Sequence, residues 1–201
     1  MVFCLHRPLM ARFTRSKSRV FLFTTRGMDG AAAGAVALRR HPDAELRVVG
    51  QNVIDEKQLD LLEQEPRPTH LHLCGVGVAP ERQAATLAAL KRLRDHGITV
   101  EWHIGFATPW REKLAAMPRD ERPCTLYCPD GTRSTTEAVV RGFGLDDAAH
   151  VRALIELGRL FREHFDNAIA HATQPQADWF SLLDQAQQRY ECAGEHDIRS
   201  T

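Results

Sequence analysis

The chain has no surplus charge of either sign: 26 lysines and arginines balance 26 aspartates and glutamates over 201 residues. Nothing in that total argues for nucleic acid, so a basic patch would have to be local. No apolar run approaches the roughly 18 residues a membrane helix needs, which argues against a membrane protein. Internal repeats and low-complexity segments are absent too. The five cysteines, Cys4, Cys74, Cys124, Cys128 and Cys192, are odd in number and scattered. That suits a reducing, cytoplasmic setting better than a disulfide framework. The first 18 residues lack any acid and any continuous apolar core, so they do not read as a secretory signal. Arg7, Arg12, Arg15 and Lys17 make them basic, and this composition predicts a disordered leader, with an internal start at Met10 in view. A basic arm that contacts phosphate or a partner is the alternative.

From Arg19 onward, strands alternate with helices. Residues 20–24 (VFLFT), 45–50 (ELRVVG), 69–74 (THLHLC), 98–104 (ITVEWHI) and 124–127 (CTLY) read as strands. Between them, residues 30–40, 55–65 and 80–96 read as helices, the last with Pro80 at its start and Gly97 past its end. Helices over 134–143, 146–171 and 177–192 follow. The pattern predicts an α/β fold with a mostly parallel sheet of about five strands and right-handed crossovers. The expected organisation is a leader (1–18), an α/β domain (19–145) and a helical extension of that domain (146–201). The chain has length enough for such a core.

The densest stretch is TTRGMDGAAAGAVALR at 24–39, which follows the strand VFLF. A strand, a short turn holding Asp29 and a small-residue helix place an acid at the C-terminal edge of a sheet, where ligands and metals bind. The stretch resembles the first motif of the DHH phosphoesterase superfamily, which includes RecJ-like nucleases, exopolyphosphatases and oligoribonucleases. That motif is usually D-x-D-G, so Gly27 stands in the place of the first acid. The family's second motif, D-x-G after a strand, corresponds to the run beginning at Gly75. The naming Asp-His-His motif follows a glycine-led strand. Here GITVEWH at 97–103 leads into Ile104, Gly105 and Phe106 at those three positions. The resemblance covers roughly residues 19–170. It implies a DHH-like N-terminal domain whose motifs are degenerate, with Asp146, Asp147 or Asp166 as candidates for a fourth acidic position.

A pair of divalent cations needs several carboxylates and imidazoles, and Asp29 alone cannot supply them. No cofactor is therefore expected, or manganese or magnesium if the family's hydrolysis survives with an altered ligand set. His103 is the nearest candidate to complete such a set with Asp29. His72 lies on the third strand, with His70 two residues before it, and Glu101 stands two residues before His103 on the fourth. Each pair therefore shares a face. They stand before the strand ends, where alternate side chains point at covering helices, so core or hydrogen-bonded histidines are the leading reading. Glycine at Gly27, Gly75 and Gly105 predicts a roomier, less acidic cleft. Family members also carry a C-terminal domain with a glycine-rich substrate segment. No such run is present here, so the resemblance implies that a partner or second subunit would provide that half.

Ser134 with Glu137 three residues later matches a capping box. Free N–H groups there, with Arg133, Ser134 and Thr135, make a candidate phosphate or anion site, although a well-capped helix is the simpler account. Cys124 and Cys128 have a loosely zinc-like spacing without a second pair nearby. Trp102, Phe106 and Trp110 are expected to fill the emptied site or cover the core rather than to stack a base. In the tail, Leu154, Leu157, Leu160, Phe161 and Phe165 share a helical face that either packs on the sheet or carries a homodimer or protein partner. The leading expectation is thus a binding or assembly module without metal-dependent hydrolysis. A metal-dependent phosphoesterase acting on a phosphodiester, nucleotide or polyphosphate and a metal-free nucleotide or anion binder are the alternatives. An unrelated open α/β sheet remains a further one.

Overall fold

The computed structural model describes residues 19–50, 59–105, 109–145, 149–164 and 173. Five parallel strands form one sheet: β1 (Val20–Thr25), β2 (Glu45–Val49), β3 (His70–Cys74), β4 (Thr99–His103) and β5 (Thr125–Tyr127). Their spatial order is β2-β1-β3-β4-β5. The chain reverses its direction of travel between β1 and β3, which puts the topological switch point at the C-terminal ends of those two strands.

Among the described residues, five helices cover the sheet: α1 (Met28–Arg40), α2 (Gln83–Asp95), α3 (Pro109–Ala115), α4 (Thr135–Phe143) and α5 (Ala149–Glu163). Strand period two divides the packing cleanly. Phe21, Phe23, Leu71, Leu73, Val100 and Trp102 point to one face, where they meet Leu90 and Leu93 of α2 and Trp110 and Leu114 of α3. Leu22 and Cys74 point to the other, against Ala33, Val36 and Ala37 of α1 and Val139 and Val140 of α4. Small residues let α1 approach closely: a Cβ on Gly30 would lie 2.1 Å from the Thr25 carbonyl oxygen.

Several elements differ in detail from the sequence reading. Helix α1 begins at Met28, two residues early, so Asp29 sits in its first turn rather than in the connecting turn. Pro80–Arg82 forms a single 3-10 turn before α2. Residues 59–63 end the reading over 55–65 as a helical residue and a 3-10 turn, Asp60–Glu63. The short α3 has no counterpart in the pattern reading, because seven residues are too few to display a helical period. The leader 1–18, Phe106, Asp146, Asp147, Phe165, Asp166 and the helix over 177–192 lie outside the described residues. No described helix is long and apolar enough to cross a membrane.

Candidate functional site

Asp29 is buried, 5% exposed, in the first turn of α1. Its carboxylate accepts hydrogen bonds from the backbone N–H of Thr135 (2.8 Å) and of Thr136 (3.0 Å), both at the start of α4. The Thr136 hydroxyl lies 2.9 Å from one carboxylate oxygen and 3.1 Å from the Asp29 carbonyl, and its single proton serves both. Arg162 of α5 adds a charge 3.6 Å away. The α4 N-terminus therefore does hold an anion, and the anion is this chain's own side chain. A helix start offers orphan N–H groups and the positive end of a dipole, and Asp29 satisfies both.

Two separate expectations thus meet in one place. The candidate metal ligand sits on the candidate phosphate site. Of the three anion-site residues, Ser134 caps α4 by accepting from the Glu137 N–H (3.1 Å), Thr135 gives its N–H to Asp29, and Arg133 pairs with Glu163 at 3.3 Å. The Ser134 half of the expected capping box is formed, while the Glu137 carboxylate accepts from the N–H of Arg133 at 3.0 Å, one residue before the cap. Burial alone would raise the Glu137 carboxyl. Hydrogen bonds from Arg159 and the Arg133 N–H, with the charges of Arg159 and Arg141, outweigh burial and hold it below the ordinary glutamate value.

Gly27, Gly75 and Gly105 are where this end of the sheet closes. A Cβ on Gly105 would lie 1.8 Å from the Ser134 carbonyl oxygen, and one on Gly75 would lie 2.6 Å from the Thr135 hydroxyl. Gly27 has φ +101° and faces the Phe161 ring, 3.3 Å from where a Cβ would stand. The roomier cleft expected from these glycines is not formed, because the first turn of α4 and a side chain of α5 occupy the space that side chains would have taken. Ile104 is buried in the core against α2 and α3. Gly158 completes the closure: a Cβ there would come within 2.7 Å of the Asp29 carboxylate.

A manganese or magnesium pair of the kind the motif resemblance implies does not fit these residues. Among the described positions of the resemblance Asp29 has the one ligating side chain, and its oxygens are engaged by α4. His103 is not grouped with Asp29. It lies against the sheet face under α4, 3.8 Å through Nε2 from Glu101, and Glu101 lies 3.2 Å from Nδ1 of His72. Among the described residues these three form a group able to hold a metal ion, with one ligand atom from each lying within 4.8 Å of the others. Burial and the neighbouring His72 hold the His103 imidazole neutral, with its pKa lowered to about 3. Cys124 and Cys128 stand outside that group, and among the described residues neither they nor Cys74 form a disulfide.

Two of the three expected aromatics cover the core: Trp102 is fully buried, donates from Nε1 to the Val76 carbonyl (3.0 Å) and contacts the Trp110 ring at 5.1 Å. The apolar face of α5 lies on this domain's own helices. Leu157 packs with Met28, Leu160 and Phe161, while Val151, Leu154 and Ile155 join the core over α1 and α4. Sequence reasoning missed Thr136, Gly158, Arg159 and Arg162. The one available signal was the pair of hydroxyl residues, Thr135 and Thr136, just inside a capped helix.

No protein-family model matches the chain, and no curated protein matches it. Among solved structures, it is similar to the crystal structure of exonuclease RecJ bound to manganese, with a TM-score of 0.46 and 15% identity. That match covers 70% of this chain and 37% of the RecJ chain, so this chain spans well under half of the RecJ length.

Proposed function

We propose that this chain is a non-hydrolytic α/β module that serves binding or assembly. The observation that supports the reading most strongly is the engagement of Asp29 by two backbone N–H groups and a hydroxyl at the start of α4. A carboxylate used this way has little left with which to hold a divalent cation. The neighbouring positions Gly75 and Gly105 add no ligands and are packed against Ser134 and Thr135. The same contacts weigh against a phosphate at this helix start, since an external anion would have to displace a tethered one. The apolar face of α5 is packed within the domain, so a partner would take another surface.

The test is hydrolysis of a phosphodiester, a nucleotide and polyphosphate by the full chain with manganese or magnesium, beside Asp29→Asn. No turnover above the blank is expected from either protein. Metal-dependent turnover by the wild type that disappears in a folded Asp29→Asn variant would return the chain to the hydrolases.

A further inference from the structure

The sheet face beneath α4 carries a polar group that the closed C-terminal edge does not explain. His72 is 3% exposed and His103 is fully buried, yet among the described residues none of their four ring nitrogens has a hydrogen-bond partner. The 3.2 Å approach of His72 Nδ1 to Glu101 lacks hydrogen-bond alignment, so proximity does not satisfy it. A buried polar atom left unpaired is destabilising. Both rings stand beside the Glu101 carboxylate.

We propose that His72, Glu101 and His103 form a binding site for a single zinc-class divalent cation. The donor set, two imidazoles and one carboxylate, suits a borderline metal rather than manganese or magnesium held by oxygen alone. With metal–ligand bonds of about 2.0–2.1 Å, the edges of a tetrahedral site are about 3.3 Å. The observed separations, 3.2 Å and 3.8 Å from the Glu101 oxygen, bracket that length. The remaining edge closes by side-chain adjustment from at most 4.8 Å.

The backbone explains how the three groups converge. His72 and Glu101 are direct partners in the parallel register of β3 and β4, and His103 follows two residues along the same face. Gly142 of α4 gives the His103 ring its space, since a Cβ there would lie 2.7 Å from Nδ1. Aromatic packing fixes the rings: Phe143 lies 4.8 Å from His103 and 5.1 Å from His72. An apolar shell of this kind orients ligands and limits water access. Glu101 is the partly exposed member, at 26%.

This site stands apart from the Asp29 edge and does not depend on the reading above. Its test uses the full chain loaded with zinc alone, desalted and assayed for metal content, followed by chelator competition and X-ray absorption. The expected result is one equivalent of zinc with nitrogen and oxygen ligands, and a melting temperature raised by about 5 °C. Glu101→Gln and His103→Asn, each checked for folding by circular dichroism, should bind about 100-fold more weakly or worse. Cys128→Ser should bind like the wild type. No retained zinc, a sulfur ligand, or unchanged affinity in the folded Glu101→Gln variant would overturn the proposal. Glu101→Gln carries the decision if His103→Asn does not fold, because Glu101 is the least buried of the three.

Discussion

Asp29 and Thr136 are 107 residues apart in sequence and meet at three points: N–H to carboxylate at 3.0 Å, hydroxyl to carboxylate at 2.9 Å, and hydroxyl to the Asp29 carbonyl at 3.1 Å. The contact joins the first turn of α1 to the first turn of α4. It lies where an open α/β sheet ordinarily receives a ligand, at the ends of β1 and β3. Charge-assisted bonds in a buried place are worth more than neutral ones, so this contact serves stability while it removes the acid from solvent.

Replacing Asp29 with alanine would leave the Thr135 and Thr136 N–H groups without an acceptor, while the Thr136 hydroxyl keeps the backbone carbonyl of residue 29. The expected loss is about 2–4 kcal/mol, since each orphaned buried donor carries a desolvation cost and a helix cap is lost with them. For a domain of this size that is a fall in melting temperature of about 5–15 °C. An unchanged thermal unfolding midpoint would mean that the acid does not hold α4 in place.

The glycines make a graded series. Gly105→Ala places a methyl 1.8 Å from the Ser134 carbonyl oxygen, and Gly75→Ala adds a left-handed φ of +71° to its clash with Thr135. Each should cost about 2–4 kcal/mol, as overpacking does when backbone must move. Gly77, with nothing within 4 Å of its would-be Cβ, is the control. Gly77→Ala should change the urea midpoint little, and equal loss at all three positions would argue against the packing account.

Glu137 gives the pH dependence. It is 3% exposed and joins α4 to α5 through Arg159 (2.9 Å), while Arg141 (2.7 Å) adds a pair within α4. Its folded-state pKa lies below its ordinary value, despite burial, because Arg159, Arg141 and the Arg133 N–H favour the charged form. The stabilisation is therefore complete above the unfolded glutamate value of about 4.3 and is lost as pH falls through the lower folded value. Urea unfolding from about pH 7 to about pH 3 should show a steeper loss in the wild type than in Glu137→Gln. Parallel curves would remove Glu137 as a source of acid sensitivity.

Much of the fold was legible because the signals are local. Alternation placed all five strands, and the spacing of Ser134 and Glu137 located the α4 cap. Period two assigned His70 and His72 to one face and Glu101 and His103 to one face. What it could not provide was the register that sets His72 beside Glu101 across two strands. The partner of Asp29 was equally out of reach, since no local pattern ties a residue on α1 to a helix start more than a hundred positions later. The glycines at 27, 75 and 105 were read as empty space. In three dimensions an absent side chain is also an opportunity for close packing, and α4 and α5 take it.

The central claim is that α4 closes the C-terminal edge by holding Asp29, and the amides of Thr135 and Thr136 report on it directly. The decisive measurement is their NMR shifts and hydrogen exchange in the full chain, alone and with added magnesium and pyrophosphate. The account predicts strong protection at both amides and no saturable shift with either addition. Fast exchange, or a saturable shift of Thr135 and Thr136 on adding magnesium or pyrophosphate, would contradict it and mark the edge as an open ligand site.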